Sequence, residues 1–361
     1  MMRPNMMAKV AAVALACAAQ LLPQGAGSQT APPQPGSASR DVFYMTWRAF
    51  AADGSGSGLD PLPDGSARFG TARITFDPRD TLDNRRARAT WVHRETTEDD
   101  VLRGLVAAAN GAPATDAGRV LVYVHGCCEI GEDALRDAGV FAAQVHYAGP
   151  VLILDWASRV GGFPFDSYLH DLDTARLAVP QATNFLGRVA AALGSGRIDA
   201  IGHSLGCVLL MNVAAATKPP AASSPVFGQI AGAGCDMNIL EFNALAPAIQ
   251  RNSARVTLYR GRYNDRALAT SAVRHGLPRL GADDNAMAGL RNVSEPLNTA
   301  GIDVVWVTDV IGGRYAHSYH LDTAVVVNDI DGVLHGSALD ARPNLLPSTP
   351  AAARSRLLRR P

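Results

Sequence analysis

The residues Ile198-Asp199-Ala200-Ile201-Gly202-His203-Ser204-Leu205-Gly206-Cys207-Val208-Leu209-Leu210-Met211 decide the fold. The first four read as a short buried strand and the last five as the opening of an apolar helix, with a serine on the turn between them. A turn sharp enough to lift Ser204 above a sheet leaves no room for side chains at Gly202 and Gly206. The helix start would also present backbone N–H groups to a negative charge developing beside the serine. The plain alternative is an ordinary strand-to-helix turn with glycines, and the strand before and helix after favour the elbow.

Working outward, apolar runs recur at residues 120–124, 151–154, 197–201, 227–231, 256–259 and 302–307. Helical stretches alternate with them at 132–146, 168–193, 205–216, 239–246, 266–275 and 321–334. Continuous apolar strands separated by helices indicate parallel strands covered on both faces. The predicted class is therefore α/β, a mostly parallel doubly wound sheet with helices on both faces. Ligands in such sheets bind at the carboxyl ends of the strands. Ahead of this core, residues 41–50 and 70–76 look like strands, separated by the Gly/Ser/Asp/Pro stretch 53–66, and are expected to form an antiparallel N-terminal edge. A third extended piece, 89–93, precedes a helix at 98–109 that Thr96 and Thr97 open and Asn110-Gly111 closes.

Composition bounds the rest. With 361 residues, 47% hydrophobic and 18% charged, the chain can bury one large core, and a formal net charge of zero offers no basic field for nucleic acid. Arg3 and Lys9 precede the apolar run Val10 to Ala19, too short to span a bilayer, so residues 1–19 read as an export signal and 20–40 as a linker. Ala14-Leu15-Ala16-Cys17 resembles a bacterial lipobox with Ala14 in place of the usual Leu or Val. A lipid tether at Cys17 and ordinary cleavage near Ala18 or Ala19 both lead out of the cytoplasm, to a periplasmic, lipid-anchored or secreted protein. A folded domain is expected over 41–340, and 341–361, with Arg354, Arg356, Arg359 and Arg360, is read as a disordered basic tail.

Three further groups are needed for chemistry at Ser204. A base must reach its hydroxyl, a carboxylate must fix the base's tautomer, and N–H donors must hold the oxyanion. His125-Gly126-Cys127-Cys128 follows the 120–124 strand. A His-Gly segment at that place lends a backbone N–H to the oxyanion hole in α/β-hydrolases, the second coming from the residue after the nucleophile, so Cys127 and Leu205 are the expected donors. His125 reads as a loop brace, and Cys127 as a rival nucleophile has no neighbouring base in sequence. The final strand leads to Ala316-His317-Ser318-Tyr319-His320, giving His317 as the base and His320 as its alternative. Asp265 after the 256–259 strand is the favoured acid, with Asp236 the alternative, and each could equally be a helix cap.

The run from Asp41 to about Asp331 resembles a group of bacterial α/β-hydrolases described as esterase- or lipase-like and filed as a domain of unknown function. The matching pieces include Val42-Phe43-Tyr44, Phe69-Gly70-Thr71, Asp155-Trp156-Ala157-Ser158-Arg159, the Gly202 to Gly206 elbow, Asn264-Asp265-Arg266-Ala267-Leu268 and Gly313-Arg314-Tyr315-Ala316-His317-Ser318-Tyr319. The resemblance implies an alpha/beta-hydrolase fold with Ser204, Asp265 and His317 in triad positions, and no particular substrate. Where relatives carry a Tyr-Asn-Asn-like segment after His-Gly, this chain has Cys127-Cys128-Glu129. Adjacent strands in that fold would bring four cysteines together, so a disulfide is expected between Cys207 and Cys235 or between Cys128 and Cys207, unless all four are buried thiols. Residues 156–168, rich in Gly, Pro and aromatics, read equally as a lid or as a loop packing its own side chains. The expected activity is hydrolysis of a small-molecule or lipid-like acyl ester, with no cofactor and no metal. The competing class is an envelope binding or structural protein that kept the fold without turnover.

Overall fold

A computed structural model describes residues 37–49, 62, 64–80, 88–158, 166–219, 224–261, 265–282, 300–312, 316–347 and 354–360. The expected export signal, Cys17, most of the linker and the centre of the 156–168 loop lie outside the described residues.

Eleven strands among these residues form one sheet. In chain order they are β1 (Ala38–Thr46), β2 (Arg68–Phe76), β3 (Thr90–Thr96), β4 (Val120–Val124), β5 (Val151–Asp155), β6 (Ile198–His203), β7 (Phe227–Ala233), β8 (Ser253–Arg260), β9 (Asp303–Trp306), β10 (Leu345–Pro347) and β11 (Ser355–Leu358). The spatial order is β10-β11-β9-β8-β7-β6-β4-β5-β1-β2-β3. All pairs from β1 to β11 are parallel, whereas β2 runs antiparallel to β1 and β3, and β10 antiparallel to β11. The predicted class thus holds, an α/β-hydrolase sheet with antiparallel strands at its N-terminal edge. β1 itself pairs in parallel with β5, Val42 opposite Val151.

The interleaved helices are α1 (Glu98–Asn110), α2 (Gly131–Gln144), α3 (Asp166–Leu193), α4 (Gly206–Ala216), α5 (Ile239–Asn252), α6 (Arg266–His275), α7 (Tyr319–Asp322) and α8 (Ala324–Leu334). Successive strand side chains point to opposite faces, so each strand feeds two cores. Val120, Val122 and Val124 of β4 pack with α1, α3, α4 and α5, while Leu121 and Tyr123 pack with α2 and α8. No helix among the described residues is long and apolar enough to cross a membrane.

The C-terminal end departs from expectation. Residues 341–361, read as a disordered tail, contain β10 and β11, which extend the sheet past β9. Leu358 is fully buried, and Arg342 is buried against Asp329 at 2.9 Å. Three of the four arginines that suggested disorder are ion-paired: Arg354 with Asp303 at 2.6 Å, Arg359 with Asp309 at 2.6 Å, and Arg356 with Asp340. Without this strand β9 would present an open sheet edge, with unpaired backbone groups.

The strand order reverses between β4 and β6, because α2 carries the chain from β4 to β5 on one side while β6 continues on the other. A crevice at the carboxyl ends is expected at such a switch point. Val124 lies opposite Gly202 there, so the His125 segment and the Ser204 turn leave the sheet side by side.

Candidate active site

Ser204 sits on the turn between β6 and α4 with φ of +52°, a left-handed conformation uncommon for a residue with a side chain. The turn is held from below, because Ser204 N–H donates to Ala233 O at 3.1 Å and its carbonyl accepts from Asp236 N–H at 2.9 Å. Glycine at 206 has a steric cause, since a Cβ there would lie 2.2 Å from His125 O. A Cβ at Gly126 would likewise meet His203 Nδ1 at 2.8 Å and the Ser204 Cβ at 3.1 Å. The two turns therefore touch through backbone, and only glycine permits it. Cys207 and Cys235 are joined by a disulfide, Cα to Cα 5.4 Å, which ties the first turn of α4 to the loop after β7. Of the two pairings expected, it is this one, and Cys127 and Cys128 are free thiols.

A continuous line of hydrogen bonds leads away from the serine. His317 Nε2 is 2.9 Å from Ser204 Oγ, and His317 Nδ1 is 2.9 Å from Asp265 Oδ2. Asp265 also caps α6, its Oδ1 accepting from Leu268 N–H at 3.2 Å. One carboxylate oxygen thus faces the imidazole while the other caps the helix. Burial pushes the His317 pKa down, but the adjacent Asp265 charge and its hydrogen bond outweigh that and raise it above the ordinary imidazole value.

The alternative acid and base lie elsewhere. Asp236 is buried in an ion pair with Arg279 at 2.5 Å, and also accepts hydrogen bonds from Ser271 at 2.7 Å and Tyr168 at 2.7 Å. His320 is fully buried, 3.2 Å from the Tyr123 hydroxyl and stacked on His203 with ring centroids 4.1 Å apart. Cys127, the rival nucleophile, has its thiol pKa pushed well up, first by its contact with Cys128 and then by burial. It is half-buried at the end of β4, and Leu205 occupies the cap position of α4, so the two expected N–H donors leave neighbouring strands.

Beneath the His125 turn lies a buried polar network that the sequence reading missed. Arg48 pairs with Asp155 at 3.2 Å, and His125 Nε2 approaches the same Asp155 oxygen at 3.3 Å. Thr46 donates to the other Asp155 oxygen at 2.5 Å, and Trp156 stacks on His125 at 5.1 Å while donating to its carbonyl at 2.9 Å. Burial raises the Asp155 pKa, yet Arg48, His125 and Thr46 together hold it below the ordinary carboxylate value. The available signal was a pair of opposite charges, Arg48 two residues past β1 and Asp155 closing the otherwise apolar β5. Their meeting depends on the β1–β5 register, where Thr46 opposes Asp155. Among the described residues no group of His, Cys, Asp and Glu could hold a metal ion.

Residues 109–334 match the model of a family described as "Alpha/beta hydrolase of unknown function (DUF900)". Among solved structures, the PEG-bound complex of a cold-adapted esterase from an Arctic intertidal metagenomic library is similar at 11% identity with a TM-score of 0.37, covering 83% of this chain and 95% of that one. No curated protein matches this chain.

Proposed function

The chain belongs to this family of alpha/beta hydrolases of unknown function, and on that footing we propose that it is a serine hydrolase that cleaves carboxylic esters through a Ser204 acyl-enzyme. One observation carries the reading: a single imidazole stands 2.9 Å from the Ser204 hydroxyl on one nitrogen and 2.9 Å from a buried carboxylate on the other. A serine hydroxyl is a poor nucleophile at its own pKa and needs such a base.

In the proposed reaction the ester carbonyl carbon is attacked by Ser204 Oγ as its proton passes to His317 Nε2. Asp265 keeps the proton-bearing Nδ1 toward itself and stabilises the imidazolium that forms. The tetrahedral oxyanion takes hydrogen bonds from the Cys127 and Leu205 amides, and His317 then protonates the departing alkoxide. Water, deprotonated by the same imidazole, releases the acid and restores the serine.

A fluorophosphonate reports this activation directly, since a hydroxyl without an adjacent base does not react with it. The expected result is labelling of wild-type protein at Ser204 alone, with turnover of short acyl esters, and loss of both in Ser204→Ala at nearly unchanged melting temperature. Labelling at Cys127 would favour a thiol nucleophile. A folded wild type that neither labels nor turns over any ester would favour the binding-protein reading.

A further inference from the structure

The proposed reaction uses the amide of Cys127 and leaves two thiols unemployed at the same turn. Cys127 and Cys128 are the free cysteines among the described residues, and their Sγ atoms are 3.4 Å apart. They are unlike each other. Cys127 is half-buried and packed against the core on the α3 and α4 side, whereas Cys128 is exposed on a backbone with φ of +65°. The remaining pair, Cys207 and Cys235, is fully buried and already bonded.

We infer that Cys127 and Cys128 form a modification site for small-molecule disulfides, through which the pair closes into a vicinal disulfide that reversibly shuts the hydrolase site. The consequence for turnover rests on the function proposed above, while the thiol chemistry does not.

The asymmetry of the pair supplies the order of events. Contact with Cys127 lowers the Cys128 pKa, and the nearby His317 lowers it further against opposition from burial and Asp171. Cys128 is therefore the more acidic and the more accessible of the two thiols, the one that reacts first through its thiolate form. The Cys128 thiolate attacks one sulfur of a disulfide RSSR, forming a Cys128–S–S–R mixed disulfide and expelling RS⁻. That thiolate, or water, takes the Cys127 proton, and the Cys127 sulfur attacks the Cys128 sulfur to expel the second RS⁻. Two protein thiols have lost two electrons, and one RSSR has become two RSH.

Closure needs the sulfurs to approach from 3.4 Å to about 2.05 Å, a short movement. The resulting bond is a strained one, because adjacent Cα atoms stand about 3.8 Å apart where ordinary disulfides span about 4.4–6.8 Å. Strained, exposed disulfides are the readily reduced ones, which makes the modification reversible. Ring closure runs through the peptide that follows the proposed oxyanion donor. On its other side that donor is joined to Gly126, packed on the serine turn so closely that an added carbon would meet the Ser204 Cβ at 3.1 Å, so a change in the 127–128 peptide is taken up at Cys127. Reshaping that peptide displaces the Cys127 amide.

The test treats full-length wild type and Cys128→Ser with hydroxyethyl disulfide, and reads both ester turnover and the tryptic peptide of residues 120–136, which carries these two cysteines and no others. In wild type the peptide should become lighter by two hydrogen atoms and resist alkylation. Turnover should fall about 10²-fold, the cost of losing one oxyanion donor, and recover with dithiothreitol. Cys128→Ser should keep its turnover throughout. The inference is overturned if both thiols remain alkylatable, if a mixed disulfide accumulates without ring closure, if the ring closes with turnover unchanged, or if Cys128→Ser is inhibited like wild type. An untreated wild type without turnover would instead remove the proposed function, and with it the gating. The peptide mass and its reversal by dithiothreitol need no variant and would still decide the thiol chemistry.

Discussion

Asp265 and Asp236 are alike in sequence, each a short acidic residue between a parallel strand and a helix, and their environments separate them. Asp265 meets an imidazole that meets the serine, whereas Asp236 neutralises Arg279, a buried cation 43 positions further along. Asp265→Asn should therefore cost about 10⁴-fold in kcat with little change in stability, because the imidazole loses its tautomer. Asp236→Asn should do the reverse, removing about 3–5 kcal/mol of stability by leaving a buried charge uncompensated. Chemical denaturation beside kinetics distinguishes the two, and the opposite pattern would reassign the acid. The same contact sets a pH response. In the proposed reaction His317 can act as a base only when neutral; burial lowers its pKa, but Asp265, with Asp236 and Cys128 adding to the effect, raises it on balance. The acid limb of kcat/KM should thus lie above the ordinary imidazole value of about 6.5. In Asp265→Asn the limb should move down, since burial then acts with less opposition. A limb that stays in place in the variant would mean another group titrates. The approach of His317 to Ser204 was readable from chain order, since it is the histidine after the last core strand. The burial of His320 was not, because two histidines three positions apart on one loop carry no local mark of which faces the core.

At the scale of elements, the elbow was legible because its constraints are local. The apolar run 198–201, the glycines at 202 and 206 and the helix opening at Cys207 all lie within a dozen residues. The turn that the elbow touches was legible only as a motif after a strand, since its steric demand comes from a chain segment about eighty positions away: the Gly206 position collides with His125 O. The Cys207–Cys235 bond belongs to the same scale. It joins the start of α4 to the loop after β7 and closes a chain segment with a sequence separation of 28. A loop of that size restricts the unfolded chain by about 3–4 kcal/mol in the entropic account. The double variant Cys207→Ala/Cys235→Ala should lose about that much unfolding free energy, and while folded should keep most of its turnover, because Ser204 is also held by Ala233 O and by Asp236 N–H. Equal stability of the variant would mean the bond strains the folded state as much as it restrains the unfolded one.

For the whole molecule, hydrophobic periodicity predicted the parallel sheet well because strands buried on both faces are apolar along their length. It failed at the C-terminal edge for a related reason. A strand next to the edge such as β11, with only the three-residue β10 beyond it, is partly covered, carries Ser355 and Arg356 beside Leu357 and Leu358, and gives no such run. What fixes it is complementary charge and backbone pairing with β9, where Val304 N–H donates to Arg354 O at 2.9 Å and Arg354 meets the buried Asp303 at 2.6 Å. Removing residues 345–361 should therefore do more than shorten a tail. It strips β9 of its partner on that side, exposes the core that Leu358 fills, worth about 2–3 kcal/mol, and among the described residues leaves Asp303 the weaker 3.9 Å contact to Arg255. The truncated protein should unfold at least about 3 kcal/mol more easily and self-associate through the open edge. Adding Asp303→Asn separates the causes. If the unpaired carboxylate dominates, the substitution restores part of the stability of the truncated chain while weakening the full-length one. If edge exposure dominates, it changes neither association nor the truncated chain's stability. A truncated chain that is as stable and as monomeric as the whole would return residues 345–361 to the role of a tail.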